Sequence, residues 1–461
     1  MKAMTMSFTR YVLPAALAMT IQMALPSYAA AAPVLLISID GMRADDITKA
    51  DEHGLKIPTL RALAANGVHA EAVRGVLPTV TYPSHTTMIT GVFPAKHGIV
   101  SNVTFDPEGK NMSGWMWYAQ DIKVPTLWDT VKAKGGTVAN IGWPVAVGKR
   151  EIDYNIPEYW RAKTPEDEKL LRLVSTPDMP AEIERLTGVP FAKVALDPGE
   201  THEGMDDARM VWVSAMIARY KPQFFTVHLV GLDGARHKFG PYSPEAKATL
   251  EGIDRGLAPM IAKARAAEPD LVVAIVSDHG FLPIAQGLNL TTALVNDGLV
   301  KLDADGKVTD WSAFPWVMGG SAAIVLKDPT DKAVEAHVRQ VLAKLSADPV
   351  NGIDKVLERP DIARLGGSPD ASFWVSMKSG FSVVGGTNKA LVQDVPGRGT
   401  HGYSPENDEM LSAFIISGPG IAHKQLGLID MRDIAPTIGS VLNAQLPHYD
   451  GKVIPVTMDA K

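Results

Sequence analysis

The sequence predicts an α/β protein built on a doubly wound, mostly parallel sheet, with a smaller subdomain inserted late in the chain. Three observations carry this. Apolar runs too continuous for one-sided strands recur between Val34 and Ser277, as strands buried on both faces do. Helical stretches separate those runs, an alternation that right-handed crossovers turn into a parallel sheet. The pattern becomes irregular from about Leu282 to Pro396, and an apolar strand then resumes the core.

Residues 1–30 read as an export signal rather than as part of the fold. Lys2 and Arg10 supply a positive start, Tyr11 to Leu25 an apolar stretch, and Ser27-Tyr28-Ala29 a small-x-small cleavage pattern. The expected destination is outside the cytoplasm, in a bacterial periplasm. An uncleaved anchor is the alternative, although the stretch is shorter than the roughly 20 residues of a membrane span. No later segment resembles a stable membrane span.

Val34 to Asp40 reads as the first buried strand. Pro58 to Asn66 reads as a helix, opened by a proline and stopped at Gly67. The helix-then-strand unit repeats as Val124 to Lys134 with Thr137 to Trp143, and as Val211 to Arg219 with Phe224 to Val230. It repeats again as Glu245 to Ala266 with Leu271 to Ser277. Beyond Leu282, Asp303-Ala304-Asp305-Gly306 marks a turn between short strands, and Asp331 to Ala347 a helix. Ala413 to Ile416 is the returning strand. The expected organisation is a core of residues 31–285 and 397–461 around an inserted subdomain, 286–396.

With 461 residues, 46% hydrophobic and 21% charged, the composition is that of a folded soluble enzyme. A net charge of -6 gives no electrostatic basis for binding a nucleic-acid polymer or an anionic membrane. The absence of cysteine excludes disulfides, thiolate ligands and a cysteine nucleophile.

The predicted strand ends carry the chemistry. Asp40 closes the first strand, Asp233 and His237 follow the strand ending at Val230, and Asp278-His279 close the strand ending at Ser277. His401 sits between Gly399 and Gly402. Ligands of open parallel sheets gather beyond the carboxyl ends of the strands, so these side chains converge. Mixed carboxylate and imidazole donors suit divalent transition metals, zinc foremost, and three of each suffice for two ions. Asp233 and His237 share a face if their segment is helical. Thr81 precedes a proline-opened helix, where an anion is favoured; read alone, it is a helix cap. Asn102 read alone is a turn residue with an amide able to donate to a phosphoryl oxygen. His85, His97 and His228 read as structural partners.

Several blocks occur together in order: Asp40-Gly41; Thr81 to His85 with Thr90-Gly91, Pro94 and His97-Gly98; Asp233, His237 and Gly240-Pro241; Ser277 to Gly280; and Gly399 to Tyr403. As a set they resemble the nucleotide pyrophosphatase/phosphodiesterase family of the alkaline phosphatase superfamily. The resemblance implies an alkaline phosphatase-like fold and two Zn²⁺ per subunit. Asp233, His237 and His401 would hold one ion; Asp40, Asp278, His279 and Thr81 the other. Thr81 would be the nucleophile, passing through a covalent phospho-threonine, and Asn102 would contact a non-bridging oxygen. Tyr82 would pack a nucleobase, with Tyr159 in the stretch supplying the opposing aromatic. The chain departs from the family at Gly231-Leu232, Ser84 and Val145-Ala146-Val147. The implied activity is hydrolysis of phosphodiester or pyrophosphate bonds. A phosphomonoesterase using Lys149-Arg150, a choline-lipid phosphodiesterase and a catalytically dead binding protein are the alternatives on this scaffold.

Overall fold

The computed structural model describes residues 31–458 apart from 112, 113, 197, 203 and 388. The expected signal, 1–30, lies outside the described residues. Six strands, β1 (Val34–Ile39), β2 (Val68–Arg74), β3 (Val138–Ile141), β4 (Tyr154–Ile156), β5 (Phe224–Leu229) and β6 (Val272–Val276), join two later ones in one sheet. Its order is Lys424–Asp430, β2, Phe414–Ser417, β6, β1, β5, β3, β4.

The apolar runs are explained by burial on both faces. In β1, Leu35, Ile37 and Ile39 enter one core and Val34 and Leu36 the other. β5 and β6 divide their side chains the same way. A strand covered on both sides has no polar face to alternate with. The helices Met205–Tyr220 and Pro244–Ala267 cover one side; Leu127–Ala133 and Ile434–Val441 cover the other.

Register positions the site. β5, β1 and β6 run parallel, with Ile39 opposite Leu229 and Ser38 opposite Val276. The three strands therefore end level, and the next residues of each chain segment enter the same crevice. Phe414–Ser417 is antiparallel to both β2 and β6, the one reversal in the sheet. It enters from the His401 end, so it has to run back down between its neighbours.

Leu282–Leu288 leads away from β6, and Val392–Thr400 returns antiparallel beside it, Thr400 opposite Leu282. Between them lies a four-stranded antiparallel sheet in the order Ala313–Val317, Ser321–Leu326, Ala371–Met377, Ile353–Glu358. The helix Lys332–Ala347 packs Val338, Val341, Leu342 and Leu345 into that sheet's own core. Among the described residues no helix is long and apolar enough to cross a membrane.

Truncating a β1 side chain tests the two-sided burial. Ile37→Ala is expected to lower unfolding free energy by about 2–5 kcal/mol, read as a reduced urea midpoint with an unchanged slope.

Candidate metal centre

Asp40 follows β1 directly, with its N–H donated to Leu229 O at 2.9 Å. Gly41 turns the chain at φ +69, a conformation that suits glycine, and a Cβ there would lie 3.0 Å from the Phe281 ring. The Gly41 N–H donates to Asp278 Oδ1 at 3.0 Å, so the turn after β1 orients the carboxylate after β6. Asp233 and His237 lie on the helix Gly231–Phe239 that follows β5. Their i, i+4 spacing brings His237 Nε2 within 3.4 Å of Asp233 Oδ1.

Two groups of donors result. Asp233, His279 and His401 form one; Asp40, Asp278 and His279 form the other, and within each group the donor atoms lie within 4.8 Å of one another. His279 belongs to both. Its Nε2 is 3.1 Å from Asp278 Oδ2 and 3.4 Å from Asp40 Oδ1, and its ring stacks on His401 at 3.5 Å. His237 stands beside the first group through Asp233.

The histidines are held by their other nitrogen. Nδ1 of His237, His279 and His401 lies 3.0, 3.1 and 3.1 Å from the carbonyls of Gly399, Gly280 and Thr79. Each Nδ1 therefore carries the proton, and each Nε2 presents a lone pair. Gly402 permits the tight return after His401; at φ +86 its Cβ would meet Met318 O at 1.8 Å. Asp40 Oδ2 is taken by His228 Nε2 at 2.9 Å, and His228 Nδ1 by Glu158 Oε2 at 2.9 Å.

What is left over fits a metal. Asp40 Oδ1, Asp233 Oδ1, Asp278 Oδ2 and His279 Nε2 are buried without a hydrogen-bond partner, which is costly unless something else satisfies them. Burial, then the charges of Asp278 and Asp233, push Asp40 well above the usual carboxylate range. Burial also raises Asp233 and lowers His279 and His401. A cation among these atoms would compensate the carboxylate charges and accept the imidazole lone pairs.

Thr81 opens the helix Thr81–Thr90; the cap position belongs to Val80, so the threonine is not the cap. The Tyr82 N–H donates to Asn102 Oδ1 at 2.8 Å, which leaves the Asn102 amide nitrogen as its donor end. Thr81, Asp40 and Asp233 line a cavity of about 540 Å³, together with Trp115, Trp117, Glu158, Trp160, Arg161, Lys163 and His202. Tyr82 itself is 0% exposed and stands edge-on to Trp115, 5.2 Å between centroids. Its ring offers no open face in this structure. Tyr159 packs behind the wall on Trp117 at 4.6 Å; its neighbour Trp160 faces the cavity. Lys149 is ion-paired to Asp129 and Glu151 at 2.6 and 3.1 Å, and the cations on the wall are Arg161 and Lys163. Sequence reasoning missed Trp115, Trp117, Glu158 and Arg161. The signal for Trp115 and Trp117 was the aromatic density of Trp115-Met116-Trp117-Tyr118.

The profile of the type I phosphodiesterase / nucleotide pyrophosphatase family matches residues 34–404. The venom phosphodiesterase of Naja atra is 23% identical over 406 residues, 85% of this chain and 42% of the venom protein. An uncharacterised pyrophosphatase/phosphodiesterase of Schizosaccharomyces pombe is 25% identical over 84% of this chain and 71% of its own. Human ectonucleotide pyrophosphatase/phosphodiesterase family member 1 is 25% identical over 54% of this chain and 23% of its own. The chain thus spans less than half the length of the venom and human relatives. In fold it is similar to human ectonucleotide pyrophosphatase/phosphodiesterase 5, with TM-score 0.62 and 21% identity over 91% of this chain and 97% of that one. It is similar also to the murine counterpart in an inactive threonine-to-alanine form in complex with AMP, with TM-score 0.63, 19% identity and the same coverage.

His85 and His97 support the scaffold. His85 Nδ1 lies 2.8 Å from Thr81 O. His97 is buried, its Nδ1 accepting from Ile99 N–H at 3.1 Å and its Nε2 3.1 Å from Thr87 Oγ1. Burial pushes His97 from 6.5 down to about 3. The unfolded chain then takes up this proton first. Its contribution to stability is whole above pH 6.5 and is lost progressively as pH falls toward 3. Urea midpoints measured across that range are expected to fall more steeply for the wild type than for His97→Gln.

Proposed function

The chain belongs to the type I phosphodiesterase / nucleotide pyrophosphatase family, and from that premise we propose that it is an exported two-zinc hydrolase of phosphodiester or pyrophosphate bonds. The observation that carries this reading is the shared cavity: Thr81, at a helix start, lines it together with Asp40 and Asp233, whose Oδ1 atoms lack hydrogen-bond partners. The signal-like residues 1–30 support export.

Asp233, His237 and His401 hold one ion in this reading, and Asp40, Asp278 and His279 the other, with Thr81 beside it. Two bound ions would supply Lewis acidity, easing loss of the threonine proton and neutralising phosphoryl charge. Thr81 Oγ1 attacks phosphorus in line as the bond to the leaving oxygen breaks, giving a phospho-threonine ester. Water then cleaves that ester from the opposite side and restores the hydroxyl, with net retention at phosphorus. The positive end of the Thr81 helix favours the phosphoryl anion, and the Asn102 amide donates to a non-bridging oxygen. Trp115, Trp117 and Trp160 wall the space for the organic group, a place the resemblance assigns to Tyr82 and Tyr159. The substrate is a small nucleotide or other diester. That a threonine-to-alanine form of the murine relative is inactive and binds AMP agrees with these roles.

A phosphomonoesterase is the second reading. Arg161 and Lys163 on the cavity wall favour it, since a monoester brings an additional negative charge.

Turnover of bis-p-nitrophenyl phosphate and p-nitrophenyl phosphate, with and without chelator, separates the readings. The diester is expected to be preferred, and the chelator to abolish activity reversibly. Thr81→Ala is expected to lower kcat by roughly 10⁴-fold or more, and mass spectrometry of quenched wild-type enzyme should find the adduct on Thr81. A dominant monoesterase activity refutes the diesterase reading, and chelator-resistant turnover refutes the metal reading.

A further inference from the structure

Arg236 lies between Asp233 and His237 on their helix and is 3% exposed. Its side chain leaves the donor cluster and crosses to the turn after β1. Nη1 donates to Gly41 O at 2.5 Å, and Nη2 donates to Asp46 Oδ1 and Oδ2 at 2.7 and 2.8 Å. Asp46 is 5% exposed and also accepts from Arg43 N–H at 2.8 Å. The Gly41 that Arg236 holds by its carbonyl holds Asp278 by its N–H. One guanidinium therefore ties the helix of Asp233 and His237 to the turn that carries Asp40 and orients Asp278.

We propose that Arg236, braced by Asp46, is a positioning residue that fixes the spacing between the two metal-ligand groups. The inference rests on the metal reading above. A buried ion pair is weak evidence for a stabilising role, because apolar residues of similar volume commonly replace such pairs without loss of stability. What apolar residues cannot reproduce is the planar fork, which fixes direction as well as distance. Here one arm of the fork lands on Gly41, one residue after Asp40, and the other on Asp46, six residues after it in the short helix Ala44–Thr48. Freed from Arg236, the helix and the turn would keep their strands but lose this link between them.

The test compares wild type, the paired variant Arg236→Met with Asp46→Leu, and Arg236→Lys. For each, the metal-free protein is unfolded in urea, Zn²⁺ affinity and stoichiometry are measured by competition with a chelating dye, and the Co²⁺-loaded visible spectrum is recorded. The paired variant is expected to stay folded without metal, at a lower urea midpoint because Arg43 N–H loses its Asp46 acceptor, while Zn²⁺ affinity at one or both sites falls about 10–100-fold and the Co²⁺ spectrum changes. Wild-type affinities and spectrum in the paired variant overturn the inference. Should the paired variant not fold, Arg236→Lys decides: a folded protein with weakened Zn²⁺ binding supports the role, and unchanged binding overturns it. A wild-type chain that binds no divalent ion instead overturns the metal reading beneath it.

Discussion

The gathering of three carboxylates in one poorly hydrated crevice is the constraint on which the rest of the structure depends. Asp40, Asp233 and Asp278 follow three adjacent strands and gather in one crevice, Asp40 and Asp278 buried and Asp233 half-buried. Burial first, and the neighbouring carboxylates after it, push Asp40 and Asp233 toward the neutral acid. The fold answers with rigidity: level parallel strands, a glycine turn that donates to Asp278, a histidine on Asp40 and backbone carbonyls that fix three imidazoles. Asp40, Asp278 and the three imidazoles are each oriented by a partner that belongs to the scaffold. A cation held among these atoms would relieve the cost of their burial.

The parts legible in the sequence are those encoded locally. A continuous apolar run followed by Asp announces a buried strand ending in a crevice, and β1, β5 and β6 each follow that rule. The helix Pro58–Ala65 carries its own proline start. β2 was not legible, because Glu71 and Arg74 interrupt it and its burial alternates irregularly. Nor was the direction of Phe414–Ser417, which is set by where the chain arrives from rather than by any residue within the strand.

The site divides the same way. Asp40, Asp233, Asp278, His279 and His401 could be read from their places at strand and loop ends, and the structure brings them together. The surrounding wall could not. Trp115, Trp117 and Trp160 sit in irregular segments with no periodicity, and which aromatic faces the cavity depends on packing. Tyr82 shows the point: the motif fixes its place next to Thr81, but Trp115 lies against its edge and burial removes it from the surface. Position along a motif specifies the backbone; exposure is decided by neighbours far away in the sequence.

The reversed strand Phe414–Ser417 has a consequence for how the molecule comes into being. It occupies the middle of the sheet, between β2 and β6, yet it leaves the ribosome well after both. Until it arrives, both of those strands present bare edges, which are sticky templates for any passing chain. The two halves of the sheet are joined late, by contacts of very long sequence separation, which makes assembly slow. A chain of this design gains from being kept unfolded until that strand has been made.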